Sequence, residues 1–442
     1  MNNPAFLFYT ILFPILLGIA RLFSPLHPKL KTFFRVRNGV FDELKQIISK
    51  LPPSTFTLWV HAASVGEFEQ ARPIIAALKA KHPELTLFVS FLSDSGYNAR
   101  KNFQDASAVF YLPADTRANA KKLVALIKPD LLLLMRYDFW PNHLLEAKKS
   151  GATLLLAAAV LQENAQYFKP VLKGFYKSIF NLFDHIYTVS EKDTIAFREK
   201  FNCQQAETAG DPRFDQVFLR SRNCAKVDYL KPLFENRTVL VAGSVWEQDE
   251  TVLIPVWQEL ENRPSLILVP HEVNPDNMSR LYQELQNRSL GYTPVSSLSE
   301  TFDPEREILV IDQTGYLAEL YSLASIAYVG GGFGVNVHNT LEPAVYTIPV
   351  LFGPNCHNSP EAEELVAAGG AVIIHDVKEL AAALKTLTTD TSQREKSGKA
   401  AGKFVQERTG ATTLIAESIE RYSPDFRNVP SWISAFPDKD NS

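Results

Sequence analysis

The sequence predicts an α/β protein made of two parallel-sheet domains of similar build, preceded by an apolar N-terminal helix. Two series of short apolar runs alternate with helix-length amphipathic segments, which is the pattern of parallel sheets covered by helices. A polar stretch from about residue 215 to 237 separates the two series. A twisted open sheet rarely grows beyond about ten strands, so this number of runs favours two domains. Ligands are then expected in a cleft between the halves, where strand C-termini and helix N-termini converge.

The N-terminal helix is predicted by the uncharged run from Pro4 to Ala20, which only just reaches the length needed to cross a bilayer. Basic residues follow the run instead of preceding it, and no small-residue cleavage site comes after it, which argues against a signal peptide. We therefore expect an uncleaved anchor or an interfacial helix. A buried amphipathic helix is the alternative, since Pro14 and Gly18 do not exclude it. The side chains expected among acyl chains are Leu7, Phe8, Ile11, Leu12 and Ile15.

The charge of the chain is unevenly distributed. Its net charge of −4 provides no overall positive field for holding nucleic acid. The only charged residues before Asp42 are basic, namely Arg21, Lys29, Lys31, Arg35 and Arg37. By the positive-inside bias they place the rest of the chain in the cytoplasm, and we expect them to attract anionic headgroups. The three cysteines are far apart and lack CxxC spacing, which argues against a disulfide framework or zinc site and fits a reducing compartment.

The predicted strands are the apolar runs themselves. The first series lies between Thr57 and Ser190 and reads TLWV, LFVSFL, AVFYL, LLLLM, TLLLAAAV and IYTVS. The second lies between Val239 and Ile374 and reads VLVAGS, LILVP, ILVID, IAYVGGGF, PVLFG and AVII. We therefore divide the chain into an anchor with its basic segment (1–40), a first domain (41–220), a second domain (221–425) and a tail (426–442).

Familiar catalytic motifs are missing. The segment GGGFGVN does not satisfy GxGxxG in any register, because Val335 stands where a third glycine is needed. The chain also lacks GxxxxGK[ST], HExxH and GxSxG. The sequence therefore does not support a dinucleotide oxidoreductase, a P-loop kinase, a zinc protease or a hydrolase with a nucleophile elbow.

The first informative strand-to-helix junction runs from Trp59 to Leu78 and contains Glu67 at the start of a helix. Gly66 permits close backbone approach, and the Glu67 carboxylate is expected to project into the cleft from a helix N-terminus, which would keep it ionised. The alternative is structural, because Ser64 and Glu67 match the capping-box pattern S-x-x-E. The spacing alone favours the cap.

The second junction runs from Ile326 to Asn355, where a strand opens into glycines before a helix that begins at residues 339–342. Glycines let backbone N–H groups approach a phosphate, and Glu342 is suited to accept hydrogen bonds from ribose hydroxyls. An ordinary glycine-rich loop capped by Asn339 is the alternative. Two further junctions, at residues 243–244 and 270–271, are expected at the same sheet edge, which favours binding.

These segments, in their order, resemble the 3-deoxy-D-manno-octulosonic acid (Kdo) transferases of lipopolysaccharide biosynthesis. The resemblance covers almost the whole chain through the apolar N-terminal segment followed by KLK, and through HAASVGE, WPN, GDPRFD, VAGS, DQTG, HNTLEPA and GPN. It implies a GT-B-like fold of two Rossmann-like αβα domains facing a cleft. It also implies inverting transfer of Kdo from CMP-Kdo to a lipid A precursor, by an enzyme with a single N-terminal anchor at the cytoplasmic face of the inner membrane.

The resemblance also assigns roles to residues. Glu67 becomes the general base that removes a proton from the acceptor hydroxyl, which reverses the preference for a cap. Arg213 stands at a family lysine that neutralises charge on the phosphate or carboxylate, and Asp138 stands at a family glutamate with a catalytic carboxylate. The positions expected beside the acceptor are Ser64, Gly66 and Arg136. The positions expected to bind CMP are Ser244, Pro270, His271, Thr314, Gly315, Tyr316, Asn339, Thr340, Leu341 and Glu342.

Two departures from the family pattern bear on these roles. The family usually has an arginine at the position of His271, so this donor contact is either a neutral imidazole or needs a cation from elsewhere. The family's ETELWPN is RYDFWPN here. Asp138 keeps a carboxylate, whereas Arg136 reverses a charge, which requires an altered acceptor or a compensating neighbour. A packed aromatic at a helix start is the structural alternative for Trp140.

No DxD-like cluster follows a strand, so we expect no metal and no cofactor, with helix dipoles and basic side chains stabilising the leaving phosphate. The expected partners are CMP-Kdo, a lipid A precursor and a membrane surface with anionic headgroups, and not nucleic acid. Another GT-B nucleotide-sugar transferase or an epimerase remains open, and it would need no lipid acceptor or anchor. So does a membrane-tethered nucleotide-binding module in which Glu67 is only a cap. The order of the motifs favours the Kdo transferase.

Overall fold

The computed structural model describes residues 4–53, 56–161 and 165–422. The chain forms two compact units, the first comprising Met1–Asp215 with Gly410–Ser442 and the second Gln216–Thr409. The prediction of two parallel-sheet α/β domains is confirmed. The predicted tail at 426–442 lies outside the described residues. Residues 411–421, which the sequence analysis gave to the second domain, belong to the first unit in the structure.

The first unit contains a seven-stranded sheet in the order β3-β2-β1-β4-β5-β6-β7. All its pairings are parallel. Its strands are β1 Thr57–Ala62, β2 Thr86–Phe91, β3 Ala108–Tyr111, β4 Leu131–Met135, β5 Thr153–Ala159, β6 His185–Thr188 and β7 Ala206–Thr208. The predicted runs form β1 to β6. Along β1, Trp59 joins one apolar core while Leu58 and Val60 join the other. Strands β1, β2 and β4 are buried on both faces along their whole length, which explains their unbroken apolar runs.

Helices cover this sheet on both faces. They are α1 Pro4–Phe23, α2 Pro28–Val36, α3 Val40–Ile48, α4 Val65–Lys81, α5 Asp94–Arg100, α6 Arg117–Ile127, α7 Pro141–Lys149, α8 Pro170–Phe180, α9 Glu191–Phe201 and, at the end of the described chain, α19 Ala411–Arg421. A further helix, α10 Pro212–Ser221, begins in the first unit and ends in the second. Ile74 of α4 and Ile415 of α19 share one core, whereas Leu123 of α6 and Phe197 of α9 lie in the other. The first unit is therefore a three-layer αβα domain.

Asp215 fixes the last helix to the first unit. Its carboxylate oxygens accept hydrogen bonds from the backbone N–H groups of Gly410, at 2.6 Å, and Thr412, at 2.7 Å. Burial raises the pKa of Asp215, and the two N–H bonds oppose this effect. Because α19 starts at this carboxylate and buries Ile415 and Ile419 in the first unit, the helix belongs there.

The second unit repeats the architecture with a seven-stranded parallel sheet in the order β10-β11-β9-β8-β12-β13-β14. Its strands are β8 Val239–Val245, β9 Ser265–Pro270, β10 Gly291–Pro294, β11 Glu307–Val310, β12 Ile326–Val329, β13 Val350–Phe352 and β14 Ala371–Ile373. Its helices are α11 Lys231–Phe234, α12 Glu247–Glu259, α13 Pro275–Asn287, α14 Leu317–Leu320, α15 Leu341–Ala344, α16 Pro360–Ala367, α17 Val377–Thr389 and α18 Thr391–Gln406. The predicted runs form every strand except β10.

The predicted apolar N-terminal helix is present as α1. Within the described residues, Ala5–Leu26 is long and apolar enough to cross a membrane. Leu7, Phe8, Ile11 and Ile15 of the expected strip are exposed, so a buried helix is not what the structure contains. Leu12 is half-buried.

Arg37 does not serve the role expected of the basic segment. Its guanidinium donates to the backbone oxygens of Leu112, at 2.8 Å, and Leu92, at 2.7 Å, and it lies 3.8 Å from the centre of the Phe33 ring. Burial lowers the pKa of Arg37 to about 10. Arg37 therefore binds the backbone of the first unit and is not available to headgroups. Lys29, Lys31 and Arg35, in contrast, are exposed.

Candidate functional site

Glu67 lies in the first turn of α4, directly after β1. The Ser64 hydroxyl oxygen accepts a hydrogen bond from the Glu67 N–H at 3.4 Å, and Glu67 Oε2 accepts one from the Ala63 N–H at 2.5 Å. The helix cap that the spacing favoured is therefore present. The cap uses only one carboxylate oxygen, because Oε1 has no hydrogen-bond partner among the described residues. A cap and a reactive oxygen are compatible in this geometry.

The environment of Glu67 makes its carboxyl group a weaker acid. The residue is only 8% exposed, and burial raises its pKa. The Ala63 N–H bond opposes that shift, Asp138 adds to it, and His61 and Arg136 oppose it, with a net rise. The helix N-terminus was expected to keep the carboxylate ionised, but desolvation outweighs the favourable contacts. A raised pKa moves Glu67 toward the range in which a carboxylate is an effective general base near neutral pH.

A histidine–aspartate pair lies beside Glu67. His61 Nε2 is 3.1 Å from Asp138 Oδ2, and His61 Nδ1 is 2.8 Å from Ser90 Oγ. Asp138 Oδ2 also accepts a hydrogen bond from Trp140 Nε1 at 2.9 Å. β1 and β4 are parallel neighbours, so their C-terminal ends bring His61 and Asp138 together. His61 had no predicted role, although its place near the end of β1, as the first residue of HAASVGE, could have suggested one.

Arg136 has the compensating neighbour that the sequence analysis left open. It stands in the left-handed region, with φ of 61°, at the end of β4. Its Nε donates to Gln70 Oε1 at 2.9 Å, and Gln70 Nε2 donates to Asp211 Oδ1 at 2.9 Å. Its Nη2 also lies 3.6 Å from Asp211 Oδ2. Asp211 and Gln70 were not predicted as site residues.

Arg213 shares the same carboxylate. Its Nε donates to Asp211 Oδ2 and its backbone N–H to Asp211 Oδ1, each at 2.9 Å. Burial acts to raise the pKa of Asp211, but Arg213 and Arg136 lower it below the ordinary value. One ionised carboxylate thus lies between two guanidinium groups whose side chains are 22% and 27% exposed. The exposed parts of these guanidinium groups can bind an anionic ligand.

Gly66 has no structural reason to be a glycine among the described residues. A Cβ at this position would meet only Ser64 Oγ, at 4.0 Å. By contrast, a Cβ at Gly96, which follows its own serine cap at the start of α5, would lie 2.5 Å from a Phe91 ring carbon. Space beside Gly66 is what close approach of an acceptor to Glu67 requires.

In the second unit, the glycine-rich segment after β12 is held by a protein carboxylate. Asp249 Oδ2 accepts the Gly331 N–H at 2.8 Å, and Asp249 Oδ1 accepts the Phe333 N–H at 3.3 Å. A Cβ at Gly330 would lie 2.2 Å from the backbone oxygen of Ser244, which itself has φ of 54°. These glycines therefore serve close backbone packing, and the N–H groups of Gly331 and Phe333 are already used. The structure gives no support to phosphate binding by those two groups.

His271 belongs to a stack of three rings. Its centroid lies 4.3 Å from that of Trp246 and 4.4 Å from that of His338. Trp246 Nε1 donates to His338 Nε2 at 2.9 Å, which requires a neutral His338 ring. Burial lowers the pKa of both histidines. His271 is thus a neutral imidazole, as the departure from the family arginine suggested, and Pro270 ends the strand before it. Trp246 and His338 were not among the site residues predicted from the sequence.

The Thr314–Tyr316 segment carries an unpredicted cation. Gly315 has φ of 82°, and its backbone oxygen accepts a hydrogen bond from Lys226 Nζ at 2.6 Å. The same ammonium lies 4.3 Å from the centre of the Tyr316 ring. Lys226 is exposed, so a positive charge is available beside this segment. Nothing in its sequence context distinguishes it from other surface lysines.

Within the predicted helix start at 339–342, the single helical turn α15 begins at Leu341, and Thr340, not Asn339, is its N-cap residue. Asn339 Oδ1 accepts the Leu341 N–H at 3.1 Å from the residue before that cap. Thr340 and Leu341 are fully buried, so the exposed Asn339 and the half-buried Glu342 offer the accessible side chains. Glu342 Oε1 lies 3.8 Å from Arg220 Nη1.

One group among the described residues has the spacing of metal ligands. Ligand atoms of Cys356, His357 and Glu363 lie within 4.8 Å of one another. His357 Nδ1 is already 2.7 Å from Glu363 Oε1, and neither side chain is buried. None of the three is a predicted site residue, so metal independence stays a prediction.

Comparison with known proteins agrees with the resemblance found in the sequence. Residues 34–216 match the family described as 3-deoxy-D-manno-octulosonic-acid transferase (kdotransferase). A protein of Chlamydophila psittaci named 3-deoxy-D-manno-octulosonic acid transferase is 27% identical over 85% of this chain and 87% of its own. A protein of the same name from Haemophilus influenzae is 23% identical over 94% of this chain and 98% of its own.

Solved structures confirm the fold. The chain is similar to the UDP-GlcNAc 2-epimerase from Neisseria meningitidis, with a TM-score of 0.58 over 83% of this chain and all of the epimerase. At 16% identity this likeness shows the fold alone. The predicted GT-B-like pair of Rossmann-like domains is confirmed, and the epimerase alternative gains nothing from the fold.

Proposed function

We propose that this chain is a member of the Kdo transferase family, which its residues 34–216 match, and that it moves Kdo from CMP-Kdo to a lipid A precursor with inversion at the anomeric carbon. The carrying observation is the buried Glu67 carboxylate, which has a raised pKa, one hydrogen-bonded oxygen and one oxygen without a partner among the described residues. The open space at Gly66 beside it is consistent with an acceptor hydroxyl.

In the proposed reaction, Glu67 Oε1 takes the proton from the acceptor hydroxyl as its oxygen attacks the anomeric carbon of Kdo. The bond from that carbon to the CMP phosphate oxygen breaks, and its electron pair leaves with CMP. Attack from the face opposite the departing phosphate gives inversion. The bond from the Ala63 N–H holds Oε2, so the carboxylate is oriented before the acceptor binds.

The charged groups around Glu67 have two further roles, which are binding of the substrates' acidic groups and control of the Glu67 pKa. Arg136 and Arg213, whose guanidinium groups stay partly exposed beside Asp211, attract an acidic group of the substrates, either the Kdo carboxylate or a lipid A phosphate. The pair formed by His61 and Asp138 sets the potential at Glu67, because the two act on its pKa in opposite directions.

We assign donor binding to the second unit. The neutral stack of Trp246, His271 and His338 offers ring faces and edges rather than a cation. Lys226, next to Gly315, supplies the positive charge that the family arginine provides elsewhere. Asn339 and Glu342 provide accessible polar groups for the ribose. We expect no metal ion in this reaction.

The membrane location follows from the acceptor. A lipid A precursor is embedded in a bilayer, so holding the enzyme at that surface raises the effective concentration of the acceptor. The exposed apolar residues of α1 and the basic residues after it suit the cytoplasmic face of the inner membrane.

The direct test is incubation of the purified full chain with CMP-Kdo and a lipid A precursor, followed by mass spectrometry of the lipid. Glu67→Gln should lower transfer by roughly 10²–10⁴-fold, the scale of a general base, with little change in CMP affinity. Glu69→Gln is the matched control, because Glu69 is on the same helix and pairs with Arg72 and Arg100. Undiminished transfer by Glu67→Gln would reduce Glu67 to a helix cap.

The same preparation separates the alternatives. Thermal protection by CMP, and not by UDP, supports the proposed donor, whereas protection by UDP alone indicates another nucleotide-sugar enzyme. Absence of any nucleotide-induced shift favours a tethered binding module or no nucleotide at all. If CMP stabilises the protein but the lipid gains no Kdo, the acceptor is a different molecule.

A further inference from the structure

The N-terminal helix α1 has two chemically different sides. Its outer side exposes large apolar side chains, which are Leu7, Phe8, Ile11, Ile15, Leu16, Ile19, Leu22 and Phe23. Its inner side carries Phe6, Tyr9, Thr10 and Phe13, spaced three and four residues apart as one face of a helix requires. The two sides therefore have different partners.

The inner side docks on the first unit through hydrogen bonds and ring contacts. The Tyr9 hydroxyl donates to Asp115 Oδ2 at 2.9 Å, and the Thr10 hydroxyl donates to Asn142 Oδ1 at 3.0 Å. The ring centroid of Phe13 lies 6.2 Å from that of Trp140. These contacts join α1 to the start of α7 and to Asp115, which precedes α6.

A second neighbour is α8. The ring of Phe175 lies 5.5 Å from Phe6 and 5.8 Å from Tyr9. Phe6 is only 8% exposed as a result. The first half of α1 is thus held from two sides by the same unit that follows it in the chain.

This docking conflicts with a membrane-spanning helix. At about 1.5 Å per residue, Phe6 and Phe23 are separated by roughly 26 Å along the axis. A spanning α1 would carry its first half across the hydrocarbon layer, away from the domain that starts at its other end. Phe6, Tyr9 and Thr10 could not then contact Asp115, Asn142 and Phe175.

The charges around α1 identify what covers its outer side. Basic side chains that are exposed follow its C-terminal end, namely Arg21, Lys29, Lys31 and Arg35. The neighbouring α8 exposes Val171 at 91% together with the basic residues Lys173 and Lys177, and Lys169 is exposed just before its first residue. An apolar surface bordered by lysine and arginine complements the acyl layer and anionic headgroups of one bilayer leaflet.

We propose that α1 is an in-plane membrane helix and does not span the bilayer. Its inner side stays docked on α7 and α8, and its outer side lies in the acyl layer of one leaflet, with α8 at the headgroup level. In this arrangement both ends of α1 lie on the side of the membrane that holds the two αβ units. The inference does not depend on the transferase activity, and its tests measure no turnover.

Topology can be tested by labelling single cysteines with a membrane-impermeant maleimide in the full chain. Cys203 and Cys356 are buried, so Cys224→Ser provides a low background. Asn3→Cys labels the residue that precedes α1 in the sequence, and Lys29→Cys labels the segment that leads from α1 to the two αβ units. Both sites should react in inverted membrane vesicles and be protected in intact spheroplasts. Labelling of Asn3→Cys in spheroplasts, with Lys29→Cys protected there, would overturn the proposal.

Docking can be tested with a photoreactive benzoylphenylalanine at single positions of membrane-bound protein. At position 13 it should crosslink within the chain to the peptide that contains Trp140, since the two rings are 6.2 Å apart. At Ile15, which is 55% exposed on the other side, it should crosslink to lipid. Lipid adducts of equal yield at both positions, without a Trp140 adduct, would contradict in-plane docking. Adducts to another protein at position 15 would replace the bilayer by a protein partner.

Discussion

Replacement of Asp211 by asparagine is the most informative perturbation of the candidate site. The Asp211 side chain is 1% exposed and accepts hydrogen bonds from Gln70 and Arg213 while facing Arg136. Asparagine keeps the size and part of the hydrogen bonding but removes the negative charge. Two guanidinium groups are then left facing each other without a carboxylate between them.

The expected loss of stability follows from the burial of these groups. Breaking a buried ion pair by removing one partner costs about 3–5 kcal/mol. The arginine side chains keep 22% and 27% of their exposure, which places the loss near the lower end, at about 3 kcal/mol. At about 2–4 °C per kcal/mol for a domain of this size, the Tm of the first unit should fall by roughly 6–12 °C.

The pH dependence of this effect has a defined sign. The pKa of folded Asp211 lies below its ordinary value, so its stabilisation is complete above an unfolded pKa of about 4 and disappears as the pH falls through the folded pKa. The difference in Tm between wild type and Asp211→Asn should therefore be constant near neutral pH and shrink in acid. Thermal unfolding at several pH values measures it.

Activity offers a second readout on the same variant. Arg136 already lowers the pKa of Glu67. Because Asp211 faces Arg136, we expect removal of the Asp211 charge to make the potential at Glu67 more positive. In the pH dependence of kcat, the fall in activity on the acidic side should therefore move to lower pH. Glu69→Gln, which removes an acid of the same helix that pairs with other arginines, should leave that fall in place. An Asp211→Asn protein with unchanged Tm and an unshifted fall in activity would refute the assigned charge arrangement.

Three further substitutions test separate features. Gly66→Ala should leave the free energy of unfolding unchanged or raise it by up to about 1 kcal/mol through helix propensity, yet increase the KM for the lipid acceptor several-fold. Gly96→Ala, whose Cβ would lie 2.5 Å from Phe91, should instead lower the free energy of unfolding. Asp249→Asn should cost about 1–3 kcal/mol and weaken CMP binding in calorimetry, because it disturbs the bonds that hold the Gly331 loop. Asp215→Ala should cost about 1–2 kcal/mol and increase proteolysis at α19, since it removes that helix's cap.

The fold class was readable from the sequence because buried parallel strands need unbroken apolar runs. The runs from TLWV to IYTVS became β1 to β6, and those from VLVAGS to AVII became every strand of the second sheet except β10. The strands that escaped prediction, β7 and β10, are short and lie at sheet edges. Edge strands bury less of their surface, so their sequences carry a weaker pattern.

The serine cap at Glu67 was likewise local information, since the S-x-x-E spacing specifies bonds within one helical turn. The burial that raises the Glu67 pKa was not local, because it depends on neighbours from other segments, such as Asp138 and Arg136. The family resemblance indicated Glu67 as a base, but it could not show which residue compensates the reversed charge at Arg136.

The residue that compensates Arg136 is Asp211, which is far from it in sequence and is linked to it by hydrogen bonds through Gln70. The ring stack at His271 and the docking of Tyr9 on Asp115 are also long-range contacts. Sequence by itself determined which segments are strands, helices and caps, because those depend on residues a few positions apart. Tertiary structure alone decided which charges meet, since Coulomb energy and desolvation depend on distance in space and not along the chain.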